Sequence, residues 1–259
     1  MEFDTVTASV DGRRGALTLN RPNSLNPLSS HTLREIAAAA RWFDTHDDLR
    51  VVVVTGAGRA FSAGADVSAF GEAAAGEESR PRDDMDAGRL MAEAVEAMRA
   101  VTIARINGAC VGGGLVVAAA CDLRVAVDDA VMFIPEVDLG IPLAWGGIPR
   151  LVREIGPAMT KELVMTCRRF TPAEALAIGF LNRVVVRAEL DNTVDELAEA
   201  IAVRPKHPVQ STKLHVNAVL EGMVGTARAW SDVDGLLGGL RDPEGRESAA
   251  AYLERLRSK

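Results

Sequence analysis

The chain has 259 residues, of which 48% are hydrophobic, 25% are charged and 4% are aromatic, and its formal net charge is −7. This length and composition suit one large folded domain with a substantial core. They exclude disordered, collagen-like and disulfide-stapled proteins. The acidic balance argues against nucleic-acid binding, which needs a basic surface, and against docking on anionic lipid.

The three cysteines and the N-terminal residues favour a cytoplasmic location. Cys110, Cys121 and Cys167 form no CxxC pair, and an odd number of cysteines does not make a disulfide framework. The N-terminus has neither the basic nor the apolar region of a signal peptide. The longest apolar run, Leu115 to Cys121, is too short to span a bilayer. We therefore expect a soluble cytoplasmic protein without membrane or nucleic-acid partners.

The predicted elements begin with a β-hairpin. Residues 3–10 alternate apolar with polar side chains, Asp11-Gly12 is a turn signal, and residues 15–20 return as the second strand. An amphipathic helix is predicted over residues 30–43. The run at residues 51–55 is almost wholly apolar, which is typical of a short strand buried on both faces.

Further along, a second amphipathic helix is followed by more strands and then by a helical region. The apolar residues of that helix are Leu90, Met91, Ala94, Val95 and Met98. Strands are predicted over residues 102–106, 123–127 and 131–134, and one more lies near residues 182–186 within the helical region that starts at Gly146. This order predicts an α/β fold. We expect a core over residues 1–190 and a helical C-terminal region over residues 191–259.

The sequence contains none of the common catalytic or metal-binding motifs. It has no GxSxG, HExxH, P-loop or Rossmann GxGxxG pattern. His207 and His215 lie eight residues apart on a predicted helix, which favours a solvated face over a zinc site. No metal site is expected.

Two loops rich in small residues follow predicted strands. One is Phe61–Asp66, and the other is Asn107–Gly114, which leads into a helix. Small residues let a ligand approach the main chain, and free N–H groups at the start of a helix favour an anionic oxygen. Two such loops can aim two amides at one carbonyl oxygen and form an oxyanion hole. The alternative is that both are tight turns in closely packed crossovers.

Glu136 lies in an apolar segment with Ile134, Pro135, Val137 and Leu139 as neighbours. Apolar surroundings disfavour the ionised form of a carboxyl group, which suits proton transfer near neutral pH. The alternative is a structural carboxylate that caps the following turn or pairs with an arginine. The nearest candidates for such a pair are Arg150 and Arg153.

Taken in chain order, these features resemble the crotonase superfamily, the enoyl-CoA hydratase/isomerase group. The matching segments are Leu19–Asn26, Val53–Gly56, Phe61–Asp66, Ile106–Gly114, Cys121-Asp122, Pro135–Gly140, Gly146-Gly147, Arg150-Leu151 and Thr171–Ala175. The likeness covers residues 3 to 220 in unbroken order. No single segment is specific to the family, but their combination is.

The resemblance implies a crotonase-like spiral of ββα units and an acyl-CoA thioester as the ligand. By position, the backbone N–H groups of Ala65 and Gly113 would hold the thioester oxygen, and Glu136 would be the catalytic base. The residues implied to contact the substrate or its CoA moiety are Asn23, Leu25, Ala63, Ala65, Asp66, Val67, Gly112, Gly113 and Pro135. No separate cofactor is implied, because the CoA thioester is itself the substrate.

The resemblance also assigns roles to the two parts of the chain. Residues 1–190 would form the acyl-CoA-binding core, and residues 191–259 would form a helical trimerisation region. Apolar residues in the tail would supply the interface between subunits: Leu214, Ala218, Val224, Leu236, Leu237 and Leu240. We therefore expect a homotrimer or a dimer of trimers.

One departure from the family pattern bears on the reaction. Enoyl-CoA hydratases of the family carry two glutamates, and the position of the first, two residues after the Gly-Gly-Gly run, holds Val116 here. Losing one acid–base group typically costs about 10²–10⁴ in rate, so efficient hydration is not expected. A lone carboxylate suffices to move a proton from C2 to C4 of an enoyl-CoA, as in isomerases of the family. Ala144 stands where dienoyl-CoA isomerases carry an aspartate, which argues against that reaction.

Alternatives to the isomerase stay open. Val116 favours a non-catalytic acyl-CoA-binding protein, whereas the intact Glu136 favours an enzyme. A weak enoyl-CoA hydratase of fatty-acid oxidation, or another crotonase-type reaction such as thioester hydrolysis, is also possible. Asp138 is the nearest spare carboxylate, and strand spacing would place it on the same side as Glu136.

Overall fold

A six-stranded mixed sheet forms the centre of the protein, whose computed structural model describes residues 2–66, 82–226 and 232–258. The strand order is β1-β2-β3-β5-β7-β9, and every neighbouring pair is parallel except the antiparallel hairpin β1–β2. The strands of this sheet are β1 Val6–Asp11, β2 Arg14–Leu19, β3 Val51–Gly56, β5 Val101–Ile106, β7 Leu123–Val127 and β9 Arg183–Val185.

A second, three-stranded parallel sheet lies beside the first and carries the functional loops. Its strands are β4 Ala60–Ser62, β6 Ala109–Val111 and β8 Met132–Phe133. The chain enters this sheet three times, each time directly after a strand of the large sheet, and so repeats a strand–strand unit along a spiral. The repetition aligns the ends of β4, β6 and β8, which places three loops distant in sequence at one edge.

Helices cover the sheets and form the C-terminal part of the chain. Their bounds are α1 Ser30–Phe43, α2 Arg82–Ala97, α3 Gly113–Ala120, α4 Gly147–Thr166, α5 Pro172–Ala177, α6 Leu190–Ala202, α7 Lys206–Met223, α8 Asp232–Arg241 and α9 Pro243–Arg257. Helix α4 is interrupted at Gly156, so Pro157 starts its second half. Pro157 and Pro172 thus both occupy first-turn positions, where the missing N–H of proline is harmless.

Most predicted elements are confirmed, with differences at their ends. The hairpin starts at Val6 rather than at residue 3, and the strand predicted over residues 131–134 shortens to Met132–Phe133. Leu90 does not share the buried face of α2, because its side chain is 47% exposed whereas Met91 is fully buried. Leu90 precedes Met91 by one residue, which is a rotation of about 100° around the helix.

The C-terminal third contributes to the interior in two places. Val194, Ala198 and Ala202 of α6 belong to the main apolar core beneath the large sheet. Leu236 of α8 belongs to a smaller apolar cluster that also contains Leu139, Ile141 and Ala144. The division at residue 190 stays a prediction. No helix in the described ranges is long and apolar enough to cross a membrane.

Candidate active site

The first loop of the site, residues 63–66, is fixed by buried side-chain hydrogen bonds. Asn26 donates from Nδ2 to the carbonyl oxygens of Ala60 at 2.9 Å and Phe61 at 3.2 Å. Ser62 Oγ donates to the Asn26 carbonyl oxygen at 2.8 Å and accepts from the Gly64 N–H at 3.1 Å. These bonds hold the loop in a single arrangement, so the direction of its amides is set before any ligand binds.

Ala65 presents a free amide at this loop. It forms an isolated parallel bridge to Leu28, in which the Leu28 N–H donates to the Gly64 carbonyl oxygen and the Asp66 N–H donates to the Leu28 carbonyl oxygen. Neither bond uses the Ala65 N–H, and none of the described residues accepts from it. A free amide in a partly buried loop is available to a ligand oxygen.

The second loop runs directly into helix α3. Gly112 caps the helix with φ 48° and ψ −117°, a conformation that only glycine adopts readily. The Gly112 N–H donates to the Phe133 carbonyl oxygen at 3.0 Å, which ties the loop to β8. Gly113 is the first residue of the helix, so its N–H has no partner within the helix and lies at the positive end of the helix dipole.

The two loops meet at their glycines. A β-carbon built on Gly64 would lie 2.8 Å from the Val111 carbonyl oxygen and 3.5 Å from the Gly113 nitrogen. Gly64 therefore packs directly against the start of α3, and the next residue, Ala65, is beside it. This contact brings the two free amides predicted for an oxyanion hole, those of Ala65 and Gly113, to neighbouring positions on adjacent loops.

Glu136 lies against the second loop. Its side chain is 8% exposed, and a β-carbon on Gly112 would lie 2.5 Å from its Oε1 atom. Oε2 has no hydrogen-bond partner among the described residues. Burial raises the pKa of Glu136 from 4.5 to about 7, opposed by a weaker hydrogen bond from its own backbone. The carboxyl group can thus exchange a proton near neutral pH.

Glu136 does not form the ion pair with Arg150 or Arg153 that was one structural alternative for it. Arg150 and Arg153, its predicted partners for an ion pair, both bind Glu96 instead, with an Nη1–Oε1 distance of 2.5 Å for Arg153. Oε2 of Glu136 is buried with no partner among the residues that the structure describes, which is an unfavourable arrangement for a purely structural acid. Unpaired buried acids are typical of sites that need a shifted pKa.

This raised pKa predicts how stability depends on pH. Because Glu136 is more easily protonated in the folded state, ionisation of its carboxyl group adds no cost to folding below pH 4.5, and this added cost grows as pH rises through about 7. The variant E136Q removes that cost, which is on the order of 3 kcal/mol. We expect the melting temperature of E136Q minus that of wild type to increase from pH 4.5 to pH 8. An equal difference at both pH values would contradict the burial of an ionisable carboxyl group.

The residues implied to contact CoA lie around the first loop. Asn23 is exposed in a short 3₁₀ turn, and Leu25 follows it in the left-handed region with φ 62°. The Leu25 carbonyl oxygen accepts from the Ala63 N–H at 2.9 Å, which joins this turn to the loop. Arg21 Nη1 lies 3.1 Å from Asp66 Oδ2.

Val67 and Pro135 are two further positions implied to contact the substrate. Val67 lies outside the described residues. Pro135 is buried next to Glu136, and its carbonyl oxygen accepts from the Leu139 N–H at 3.0 Å. This bond starts the turn that carries Glu136, so Pro135 contributes to the position of the carboxyl group.

Comparison with known proteins shows the family. The family model described as enoyl-CoA hydratase/isomerase matches residues 15–259. The chain belongs to this family. A short-chain-enoyl-CoA hydratase of Clostridium acetobutylicum is 35% identical over 231 residues, which cover 89% of this chain and 87% of that protein. The peroxisomal Delta(3,5)-Delta(2,4)-dienoyl-CoA isomerase of Arabidopsis thaliana is 35% identical over 221 residues, 82% of this chain and 80% of that protein.

Solved structures of this family share the fold. An enoyl-CoA hydratase/isomerase from Mycobacterium paratuberculosis superposes with a TM-score of 0.88 at 26% identity, covering 97% of this chain and all of that one. An enoyl-CoA hydratase subunit from Geobacillus kaustophilus gives a TM-score of 0.78 at 32% identity, with 98% and 97% of the two chains covered. The crotonase-like α/β fold predicted from the sequence is therefore confirmed.

Val116 has no carboxyl group, and the carboxylate of Asp138 lies toward Arg255. Val116 is 1% exposed on α3, and its Cγ2 atom packs against Gly147. The expected strand spacing of Asp138 is wrong, because residues 136–140 form a turn. The Asp138 carboxylate lies 3.8 Å from Arg255 of α9, and its carbonyl oxygen accepts from Ser248 Oγ.

Two aromatic residues near Glu136 were not predicted from the sequence. Trp145 packs its indole ring over Gly113, and Tyr252 of α9 joins the apolar cluster beside the Glu136 turn. Burial raises the pKa of Tyr252, and the nearby carboxylates of Asp138 and Glu136 contribute to the same shift. Trp145 directly precedes the Gly146-Gly147 pair of the family pattern, so its position was a usable signal. Tyr252 lies in the tail, where no motif marks it.

One group of side chains in the described ranges has metal-ligand spacing. Asp4, His31 and Glu35 place one ligand atom each within 4.8 Å of one another. Glu35 already accepts from the Asp4 N–H at 2.7 Å and from the Thr5 N–H at 2.8 Å. These bonds tie the N-terminal residues to α1, which explains the cluster as structural.

Proposed function

We propose that the protein is an enoyl-CoA isomerase that moves a double bond from C3 to C2 of an acyl-CoA thioester. The observation that carries the proposal is the buried carboxyl group of Glu136, whose pKa is about 7. Its Oε2 atom has no hydrogen-bond partner among the described residues, and two loops beside it present amides that donate to none of these residues. A carboxyl group with this pKa is a competent base and, once protonated, a competent acid at neutral pH.

The proposed reaction needs one base and one oxyanion site. The carboxylate of Glu136 takes a proton from C2 of a 3-enoyl-CoA, and the electrons of that C–H bond form a dienolate. The N–H groups of Ala65 and Gly113 donate to the thioester oxygen, where the negative charge accumulates. Glu136 then returns the proton to C4, which gives the 2-enoyl-CoA and restores the carboxylate.

Val116 supports isomerisation over hydration. Hydration places a water on C3 and moves protons to and from it, which two carboxylates perform together in hydratases of the family. Val116 brings a buried isopropyl group to the position of the second carboxylate, and the Asp138 carboxylate lies toward Arg255. The competing functions are a weak hydratase and a non-catalytic acyl-CoA-binding protein. Curated relatives that are named hydratases favour the first of these two.

Product analysis tests the proposed function. Wild-type protein is incubated separately with 2-enoyl-CoA and 3-enoyl-CoA thioesters, and the products are separated. We expect rapid conversion of 3-enoyl-CoA to 2-enoyl-CoA and slow formation of 3-hydroxyacyl-CoA. Rapid water addition would support the hydratase, and binding without turnover would support the carrier. No cofactor besides the substrate is part of the proposal.

We also propose that the protein assembles as a homotrimer or a dimer of trimers. Exposed apolar side chains along α7 support an interface there: Leu214, Val216, Val219 and Met223. Leu236, which we expected at the interface, instead packs within its own chain. Sedimentation at micromolar concentration should give a trimer or hexamer, and the double variant L214E/V219E should shift it to smaller species. A wild-type monomer under these conditions would refute the assembly.

A further inference from the structure

Trp145 has a conformation and a position that the proposed chemistry does not use. Its φ is 61°, in the left-handed region that bulky residues rarely occupy, and the next residue, Gly146, is left-handed as well. A residue is held in such a conformation only where its surroundings require it. Here the surroundings are two glycines on different helices.

The indole ring spans the gap between helices α2 and α3. Its six-membered ring lies over Gly113, with Cζ3 as the nearest atom, and its five-membered ring lies over Gly88 of α2, with Cγ as the nearest atom. A β-carbon at either glycine would overlap the ring. The absence of side chains at Gly113 and Gly88 therefore makes the space that the indole fills.

This ring and the carboxyl group of Glu136 lie over adjacent residues of one loop. Glu136 Oε1 is at Gly112, and the indole is at Gly113, whose N–H is the proposed donor to the thioester oxygen. A thioester held at Gly113 would have its C2 next to Glu136 and its acyl chain beside the indole, because the two side chains lie over adjacent residues. Trp145 is only partly buried, and it contacts both the main core and the cluster that α8 adds.

We propose that Trp145 forms the end wall of the acyl site and restricts the substrate to short acyl chains. The proposal rests on the proposed function, because it takes the thioester to lie at Gly113. The ring has little room to move, because Gly88 and Gly113 both pack closely against it. A rigid aromatic wall excludes additional methylene groups rather than yielding to them.

The test compares binding of butanoyl-CoA and decanoyl-CoA, which carry no double bond and do not react. Calorimetry measures both affinities for wild type, W145A and W145F. A buried methylene group improves affinity roughly fourfold, so a site open to long chains would bind decanoyl-CoA far more tightly. We expect wild type to bind butanoyl-CoA at least as tightly as decanoyl-CoA. In W145A, decanoyl-CoA should tighten at least tenfold, while butanoyl-CoA changes about threefold or less.

W145F is a second test of the same position, and W42F is the control variant. W145F keeps an aromatic ring of smaller size and should shift the ratio of the two affinities in the same direction by a smaller factor. If W145A does not fold, W145F tests the role of Trp145 in its place. Trp42 packs against Phe43 and His46, so W42F should leave the ratio unchanged. An unchanged ratio in the folded Trp145 variants overturns the role of Trp145. Failure of wild type to bind either thioester overturns the proposed function itself.

Discussion

Replacing Glu136 with glutamine should lower the rate of 3-enoyl-CoA isomerisation by about 10²–10⁴, the usual contribution of a positioned acid–base group. Glutamine keeps the shape of the side chain and its contact with Gly112, but it cannot accept a proton at neutral pH. The affinity for a saturated acyl-CoA should change little, because the free amides of the two loops are untouched. Steady-state kinetics together with calorimetry separate the two effects.

Asp138 provides a matched control on the same turn. The carboxylate of Asp138 is 47% exposed and lies toward Arg255. D138N makes the same chemical change as E136Q at a position two residues away, and we expect its turnover to stay within about twofold of wild type. Equal losses in D138N and E136Q, or no loss in E136Q, would mean that Glu136 is not the base.

The pH dependence of wild type follows from the pKa of Glu136. The base acts in its ionised form, so kcat/KM should rise with pH through about 7 and level off above it. An ordinary exposed glutamate would already be ionised at pH 5 and would give a flat profile from there upward. A flat profile between pH 5 and pH 8 would contradict the assignment.

The second large effect is expected at Ala65. A65P removes the N–H that we propose as a donor to the thioester oxygen, and that N–H donates to no described residue. Loss of one oxyanion donor typically lowers kcat by about 10²–10³, because the charge of the dienolate loses a preorganised partner. Turnover of 3-enoyl-CoA measures this loss directly.

A65G separates the amide from the side chain. It removes the methyl group but keeps the N–H, so it should retain most of the activity that A65P loses. Melting temperatures of both variants show whether the loop stays folded, since proline also fixes the backbone of residue 65. A folded A65P protein with wild-type turnover would remove Ala65 from the proposed oxyanion hole.

The sequence predicted much of this arrangement because its signals are local. The apolar run of β3, the turn at Asp11-Gly12 and the amphipathic pattern of α1 each act over a few residues. The apolar neighbours of Glu136 also predicted the direction of its pKa shift, since burial disfavours the charged form. Family resemblance added the pairing of Ala65 with Gly113.

What the sequence could not predict depends on contacts between distant segments. The position of the Trp145 ring is set by Gly88 and Gly113, which are 57 and 32 residues away along the chain. Asp138 faces α9 because residues 136–140 turn, although alternation along a strand predicted otherwise. The close approach of Gly140 to Gly245 brings that helix onto the turn, and no local pattern indicates such a pairing.

The most direct test of a lone carboxylate shuttle is transfer of a label within the substrate. A 3-enoyl-CoA that carries deuterium at both C2 positions is converted by wild-type protein in ordinary water, and NMR of the product locates the label. Glu136 is 8% exposed, which slows exchange of its proton with solvent. We expect 2-enoyl-CoA with deuterium at C4 in a measurable fraction of molecules. A product without deuterium at C4, or 3-hydroxyacyl-CoA as the main product, would contradict this mechanism.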